Sequence, residues 1–175
     1  ISYQNDFVFL IDNNFFTAVF LSMVLIFIFN IFGRVYLGDS GTYLISLVIG
    51  AYLIKLYYLN SNLSPYYIAV ILWYPAFENL FSLIRRISKK KSVSSPDNRH
   101  LHQLVFLFLK SKNLININFL NSLSSLLIII FCVPGFIFAN FFPFQSSYLL
   151  IALTLNIVFY LFVYMFLAKN LKIKK

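Results

Sequence analysis

Long stretches without a charged side chain divide this sequence into five apolar segments. An ionised side chain at the centre of a bilayer costs roughly 2.5 to 3.5 kcal/mol, and a helix of about 20 apolar residues crosses the hydrocarbon core. The longest uncharged stretch, Asn113 to Ala168, has 56 residues and must fold back once, at the polar positions 140–146. The pattern predicts spanning helices over about residues 15–30, 40–58, 66–83, 119–139 and 147–168.

The interval between the third and fourth segments has a different character. Residues 84–113 are polar and basic, and Lys89, Lys90 and Lys91 are followed by Ser-Val-Ser-Ser-Pro, a composition typical of loops. We therefore predict an all-α polytopic transmembrane helix bundle, a single membrane domain over residues 1–175 with one long cytoplasmic loop at 84–113.

The basic residues agree with this arrangement. Five spans place successive connections on alternating sides, and 13 of the 14 Lys and Arg residues then fall on one side, with Lys55 the exception. The positive-inside rule makes that side cytoplasmic. Topology and anionic lipid headgroups are sufficient reasons for most of these lysines.

Composition excludes a water-soluble protein. The chain is 61% hydrophobic and 11% charged, with a mean hydropathy of +0.83. Cys132 is the sole cysteine, so we expect it to serve packing rather than a disulfide or a metal cage. Because the sequence opens at Ile1 without the features of a signal peptide, we expect further sequence upstream.

Candidate chemistry begins at Leu37-Gly38-Asp39-Ser40-Gly41-Thr42, where a carboxylate lies between two glycines at the start of the second predicted span. One interpretation is helix capping, because an acidic residue there favours the positive helix end. The other is that the glycines let a phosphate or a hydrated Mg²⁺ approach while Asp39 supplies a hard oxygen ligand. The two interpretations are compatible.

A second candidate is the histidine segment, Ser95-Pro96-Asp97-Asn98-Arg99-His100-Leu101-His102-Gln103. A His-x-His pair alone is a weak signal, and zinc would need further ligands. With Arg99 beside the imidazoles, an anionic ligand is the better chemical match, since guanidinium binds phosphate bidentately and imidazole N–H groups donate to phosphate oxygens.

Glu78 lies inside the third predicted span, where an ionisable group is costly. It shares a helix face with Arg85, seven residues on. An ion pair or a hydrogen bond across the bundle is as good an interpretation as catalysis.

Two motifs in this order are similar to those of the polyprenyl-phosphate N-acetylhexosamine-1-phosphate transferases. The segment Gly33-Arg34-Val35-Tyr36-Leu37-Gly38-Asp39-Ser40-Gly41-Thr42 is followed about sixty residues later by the histidine segment, preceded by Leu-Ile-Arg-Arg. The sequence resembles the undecaprenyl-phosphate N-acetylglucosamine-1-phosphate transferases and, more distantly, the phospho-N-acetylmuramoyl-pentapeptide transferases. The resemblance covers the carboxy-terminal half of such an enzyme.

The resemblance implies that a polyprenyl phosphate attacks the proximal phosphate of a UDP-activated amino sugar, yielding a lipid-diphosphate-sugar and UMP with the help of Mg²⁺ or Mn²⁺. In this family Asp39 corresponds to the metal-binding aspartate and, with His100 and His102, to the catalytic residues. Substrate-binding roles are expected for the remaining motif residues, which are Gly38, Ser40, Gly41, Arg86, Asp97, Asn98 and Arg99.

The family also implies a place and a set of partners. The place is the bacterial cytoplasmic (inner) membrane, with the catalytic face toward the cytoplasm. The partners are a polyprenyl phosphate lipid and a UDP-amino sugar, with no nucleic acid, and a homodimer is one option. The reaction would begin the synthesis of a cell-envelope polysaccharide or glycan, such as lipopolysaccharide or cell wall.

The sequence departs from the family in three places. Gln103 replaces a histidine that is common there, Glu78 replaces an aspartate, and the paired aspartates of an earlier cytoplasmic loop have no counterpart. We therefore expect the 175 residues alone to be inactive. A non-catalytic membrane remnant or assembly subunit of the same descent is the alternative, and a transporter, which would need ionisable groups lining several spans, ranks lower.

Overall fold

The computed structural model describes residues 13–88, 90, 97, 99–112 and 117–171. Within these ranges the regular structure is entirely helical, which confirms the predicted all-α polytopic bundle. The seven helices are α1 (Asn13–Ile31), α2 (Asp39–Leu59), α3 (Pro65–Ile71), α4 (Trp73–Ser88), α5 (Leu101–Lys112), α6 (Ile117–Phe141) and α7 (Ser146–Asn170).

Four of these helices have stretches long and apolar enough to cross a membrane, namely Asn14–Ile31, Asp39–Leu59, Phe119–Phe141 and Ser146–Asn170. Most of their large apolar side chains lie on the outside, as lipid requires. The chain is a multi-pass membrane protein.

The third apolar segment is broken rather than continuous. Helices α3 and α4 pass the same test only as a pair, and they are bent by 72° at Leu72. Pro75 accounts for the break, because proline has no N–H for the carbonyl four residues earlier and its ring clashes with that carbonyl, here Ile71. The single helix expected over 66–83 is therefore two.

The interval expected to be a loop over residues 84–113 is largely helical. Helix α4 continues to Ser88, and α5 occupies Leu101–Lys112. Leu101 and Leu104 are fully buried, and Val105 and Phe108 pack against the same core. This i, i+3, i+4, i+7 spacing is the apolar face of a helix, so α5 forms because that face has a core to cover.

The chain divides into two compact units, Ile1–Asn62 and Leu63–Lys175. In the first unit, α1 ends in a Schellman motif: Arg34 N–H donates to Phe29 O over 3.0 Å and Gly33 N–H donates to Asn30 O over 2.9 Å. Gly33 has φ +66°, a left-handed conformation that glycine adopts at little cost. After this turn the chain continues to Gly38, which is the N-cap of α2.

The second unit contains α3 to α7 around an aromatic core. Tyr160 of α7 is fully buried and meets Phe77 and Phe81 edge-on, with ring centroids 5.1 and 5.6 Å away. Cys132 is buried in the same core and is a free thiol, so its predicted packing role is confirmed. Gly135 of α6 lets Asn156 of α7 approach closely, since a Cβ there would lie 2.7 Å from Asn156 Nδ2.

Candidate functional site

Asp39 is the first residue of α2, and its side chain is exposed. Gly38 before it makes no side-chain cap, and a Cβ added to Gly38 would meet nothing within 4 Å. Ser40 is exposed, and Gly41 packs against the Leu37 side chain. Gly38 is thus an open backbone position beside an exposed carboxylate at the positive end of a helix.

The described residues contain no group of three or more His, Cys, Asp or Glu side chains placed to hold a metal ion. Mg²⁺ does not need one, because it retains several waters and takes one or two carboxylates together with substrate phosphates. A single exposed carboxylate such as Asp39 fits that mode of binding, although it could not form a closed protein cage.

In the second unit, Glu78 joins three helices. Its Oε2 accepts a hydrogen bond of 2.8 Å from the Tyr160 hydroxyl of α7, and its Oε1 accepts one of 3.1 Å from the Leu101 N–H that opens α5. Only 7% of Glu78 is exposed. The hydrogen bond across the bundle that the sequence suggested therefore exists, but it is made with Tyr160 and not with Arg85.

His100 is the residue before α5, and its ring is held by the same carboxylate. His100 Nδ1 lies 3.0 Å from Glu78 Oε1, and 24% of the side chain is exposed. The rings of His100 and His102 stack nearly parallel, with centroids 5.7 Å apart and 9° between planes. Partial burial, and then the neighbouring His100 ring, lower the pKa of His102.

Gln103 completes the start of α5. Its Oε1 accepts a hydrogen bond of 3.1 Å from the His100 N–H, three residues earlier. This is the return bond of a capping box, in which the third residue of a helix satisfies the N-cap amide. The amide that replaces a family histidine therefore has a structural role here.

Asp97 fastens the histidine segment to α4. It accepts hydrogen bonds from Ser82 Oγ and Arg85 Nη2, and Arg86 Nε lies 3.6 Å from the same oxygen. Burial alone would raise the pKa of Asp97, but the hydrogen bonds from Ser82 and Arg85 and the Arg85 charge lower it to about 2. Asp97 is therefore ionised, and its carboxylate is held by Ser82, Arg85 and Arg86, which together with Asp97 we call the clamp.

The other predicted substrate-binding residues lie beside this clamp or outside the described residues. The Arg99 N–H donates to Asp97 Oδ1 over 3.1 Å, which turns the backbone toward α5. Arg86 is on α4 with 15% of its side chain exposed. Asn98 lies outside the described residues.

Sequence reasoning missed Ser82 and Tyr160. Ser82 follows Glu78 by four residues and precedes Arg85 by three, so helical spacing places all three on one face and could have revealed it. Nothing local to Tyr160 distinguishes it from the other tyrosines of α7. Asp39 belongs to the first unit and the histidines to the second, so a pocket shared by them stays a prediction.

Together, the second-unit residues can bind an anion. Imidazole and guanidinium groups from α4, the histidine segment and the first turn of α5 are gathered where helix α5 presents its positive end. The two buried carboxylates are occupied by donors of the protein, which leaves the exposed edge of the imidazoles for a ligand.

Sequence comparison finds two relatives. The chain is 36% identical over 73 residues to the undecaprenyl-phosphate alpha-N-acetylglucosaminyl 1-phosphate transferase of Thermotoga maritima, a match over 41% of this chain and 23% of the relative. It is 34% identical over 79 residues to a protein of Bacillus subtilis named a probable undecaprenyl-phosphate N-acetylglucosaminyl 1-phosphate transferase, over 43% of this chain and 21% of the relative.

The match thus spans less than a quarter of the length of either relative. No protein-family model matches the chain. No solved structure matches it either. Over about two-fifths of its length the chain is similar to undecaprenyl-phosphate N-acetylglucosaminyl 1-phosphate transferases, which confirms the family resemblance predicted from its motifs.

Proposed function

We propose that this chain carries the carboxy-terminal half of a membrane transferase that moves an N-acetylhexosamine 1-phosphate from a UDP-sugar to undecaprenyl phosphate. The observation that carries the proposal is the start of α5, where His100 and His102 stack and a buried carboxylate holds the His100 ring. The names of the two relatives, which specify undecaprenyl phosphate and an N-acetylglucosaminyl 1-phosphate group, support this substrate pair.

The reaction brings two polyanions together. An oxygen of the lipid phosphate attacks the phosphorus that bears the sugar, a new P–O bond forms, and the bond between the two phosphates of the UDP-sugar breaks to release UMP. Arg99, His100 and His102 would offset the repulsion by donating to diphosphate oxygens, because preorganised donors stabilise charge that develops in a transition state.

When bound, Mg²⁺ or Mn²⁺ would neutralise phosphate charge and polarise the P–O bond under attack. Asp39 would hold it, with the open backbone at Gly38 leaving room for the phosphates. We propose that this chemistry occurs on the cytoplasmic face of the bacterial inner membrane, at the first step of an envelope glycan, as it would in the family that the chain resembles.

The experiment is exchange of labelled UMP with the UDP-sugar in membranes that contain the intact protein. Asp39→Asn should abolish the Mg²⁺-dependent exchange, because the amide keeps the size of the side chain but removes the ligand charge. His100→Ala should reduce nucleotide-sugar turnover more than lipid binding. Asp12→Asn makes the same chemical change at an acidic residue that the family motifs do not include, and it should leave exchange unchanged.

Membrane insertion should be the same in all three variants. Normal exchange by the Asp39→Asn protein would show that Asp39 has no role in the reaction. Normal turnover after His100→Ala would show the same for the histidine segment. An intact protein that exchanges no UMP with any UDP-amino sugar, yet inserts normally, would favour a non-catalytic assembly subunit instead.

A further inference from the structure

Glu78 contacts three polar groups, and two of them lie at the start of α5, where the catalytic candidate His100 is found. Its Oε1 receives both the Leu101 N–H, at 3.1 Å, and the His100 Nδ1, at 3.0 Å. One oxygen therefore fixes both the first amide of α5 and the imidazole that precedes it.

The chemistry of the two partners sets the protonation of the ring. An ionised carboxylate can only accept hydrogen bonds, so the nitrogen 3.0 Å from it must carry the proton. With the proton on Nδ1, a neutral ring carries no proton on Nε2. In general, the hydrogen bond that one ring nitrogen makes determines whether the other nitrogen carries a proton.

The other charged neighbours of His100 do not compete for Nδ1. Asp97 Oδ2 lies 3.8 Å from Nε2, beyond hydrogen-bond distance, and it already accepts from Ser82 and Arg85. The His102 ring stacks on the face of His100 rather than on its edge. Tyr160 donates to the opposite oxygen of Glu78, so α7 orients the carboxylate and not the imidazole directly.

From this geometry we infer that Glu78 is a positioning residue for His100. Its carboxylate accepts the Nδ1–H and so fixes the ring with Nε2 toward the substrate diphosphate, to which Nε2 donates when the ring carries a second proton. The inference rests on the proposed function for the identity of the diphosphate. The Nδ1–H assignment rests on the contact between His100 Nδ1 and Glu78 Oε1, whichever substrate is bound. At metal sites, a side chain that holds a ligating imidazole by its second nitrogen commonly contributes about 10- to 100-fold to metal affinity or activity, and we expect an effect of that order here.

The test combines a spectroscopic measurement with kinetics on the intact protein. Nitrogen-15 NMR of histidine-labelled protein in detergent reports which ring nitrogen carries the proton, and the resonances that vanish in a His100→Gln variant identify His100. We expect a protonated Nδ1 and an unprotonated Nε2 in the neutral ring. A neutral His100 protonated on Nε2 in the unaltered protein would overturn the inference without any substitution at Glu78.

Glu78→Gln is the informative variant, because the carboxamide can both accept and donate and so no longer selects one tautomer. It should give a mixture of His100 tautomers and reduce UMP exchange by about 10-fold or more. Tyr160→Phe is the matched control. It removes a hydrogen bond from the same carboxylate, so it should reduce thermal stability but keep the Nδ1–H tautomer and most of the exchange rate.

A Glu78→Gln protein with the original tautomer, or with the original exchange rate, would overturn the positioning role. Equal losses of exchange in Glu78→Gln and Tyr160→Phe, with the tautomer unchanged in both, would make Glu78 structural only. Failure of the proposed transferase function has a different signature, because the unaltered intact protein would then exchange no UMP with any UDP-amino sugar, whichever tautomer His100 adopts.

Discussion

Replacing Asp97 by Asn tests how firmly the histidine segment is fastened to α4. Asn keeps the shape of the side chain and one acceptor oxygen, but it removes the charge that Arg85 and Arg86 face. The pKa of Asp97 is about 2 against an ordinary 3.8. At about 1.36 kcal/mol for each pKa unit, this difference corresponds to about 2 kcal/mol of attachment that depends on the charge.

The magnitude is consistent with the surroundings. The side chains of Arg85 and Asp97 are only 14% and 6% exposed, so water screens their attraction weakly. Removing one partner of a fully buried pair costs about 3 to 5 kcal/mol. A value of about 2 kcal/mol, which represents the charge alone, is below that range because the side-chain amide in Asp97→Asn would still accept one hydrogen bond.

Backbone hydrogen exchange measures this attachment directly, because the Arg99 N–H is bonded to Asp97 Oδ1. In Asp97→Asn the Arg99 amide should exchange roughly 30-fold faster, the ratio that about 2 kcal/mol represents. The Leu149 N–H, bonded to Gln145 O at the start of α7, is the internal control and should not change.

Acid should reproduce the effect in the unaltered protein. Because the folded state lowers the pKa of Asp97, the stabilisation is complete above the ordinary pKa of 3.8 and is lost as the pH falls toward 2. Protection of the Arg99 amide, corrected for intrinsic exchange, should fall between about pH 4 and pH 2, and the Asp97→Asn variant should show no such fall.

The reasoning is refuted if Asp97→Asn leaves the Arg99 amide as protected as before. It is also refuted if Arg85→Gln and Asp97→Asn have strictly additive effects, since two partners in one ion pair must couple in a double-mutant cycle. We expect the double variant to lose little more than either single variant.

Two further predictions concern the first unit and the topology. Gly33→Ala should destabilise the protein by about 1 to 2 kcal/mol, because φ +66° forces the new Cβ against the backbone, whereas Gly50→Ala, in open space inside α2, should not lower the thermal unfolding midpoint. With Cys132 replaced by Ala, cysteines introduced at Arg34 and Lys110 should react with an impermeant maleimide from the cytoplasmic side, and one at Ser61 from the other side. Labelling of Arg34 and Lys110 positions on opposite sides would exclude a pocket shared by Asp39 and the histidines.

Much of the fold could be predicted from the sequence because the bilayer makes charge so expensive. The apolar segments over residues 15–30, 40–58, 119–139 and 147–168 coincide with helices α1, α2, α6 and α7 to within a few residues. The family resemblance was also readable, since the motifs around Asp39 and His100 are local in sequence. In both cases the information lies within one short stretch of chain.

Tertiary structure decided the rest. Pro75 was a local signal for the break at Leu72, but the apolar length of the segment favoured one continuous helix. The spacing of Leu101, Leu104 and Phe108 was a local signal for α5, but the basic composition around it favoured a loop. The partners of Glu78 had no such signal. Tyr160 lies 82 residues away, and which of the α7 tyrosines reaches the carboxylate depends on how the helices rotate and pack. Helical periodicity tells which face a side chain occupies, but a hydrogen bond between distant helices forms only once packing has brought those faces together.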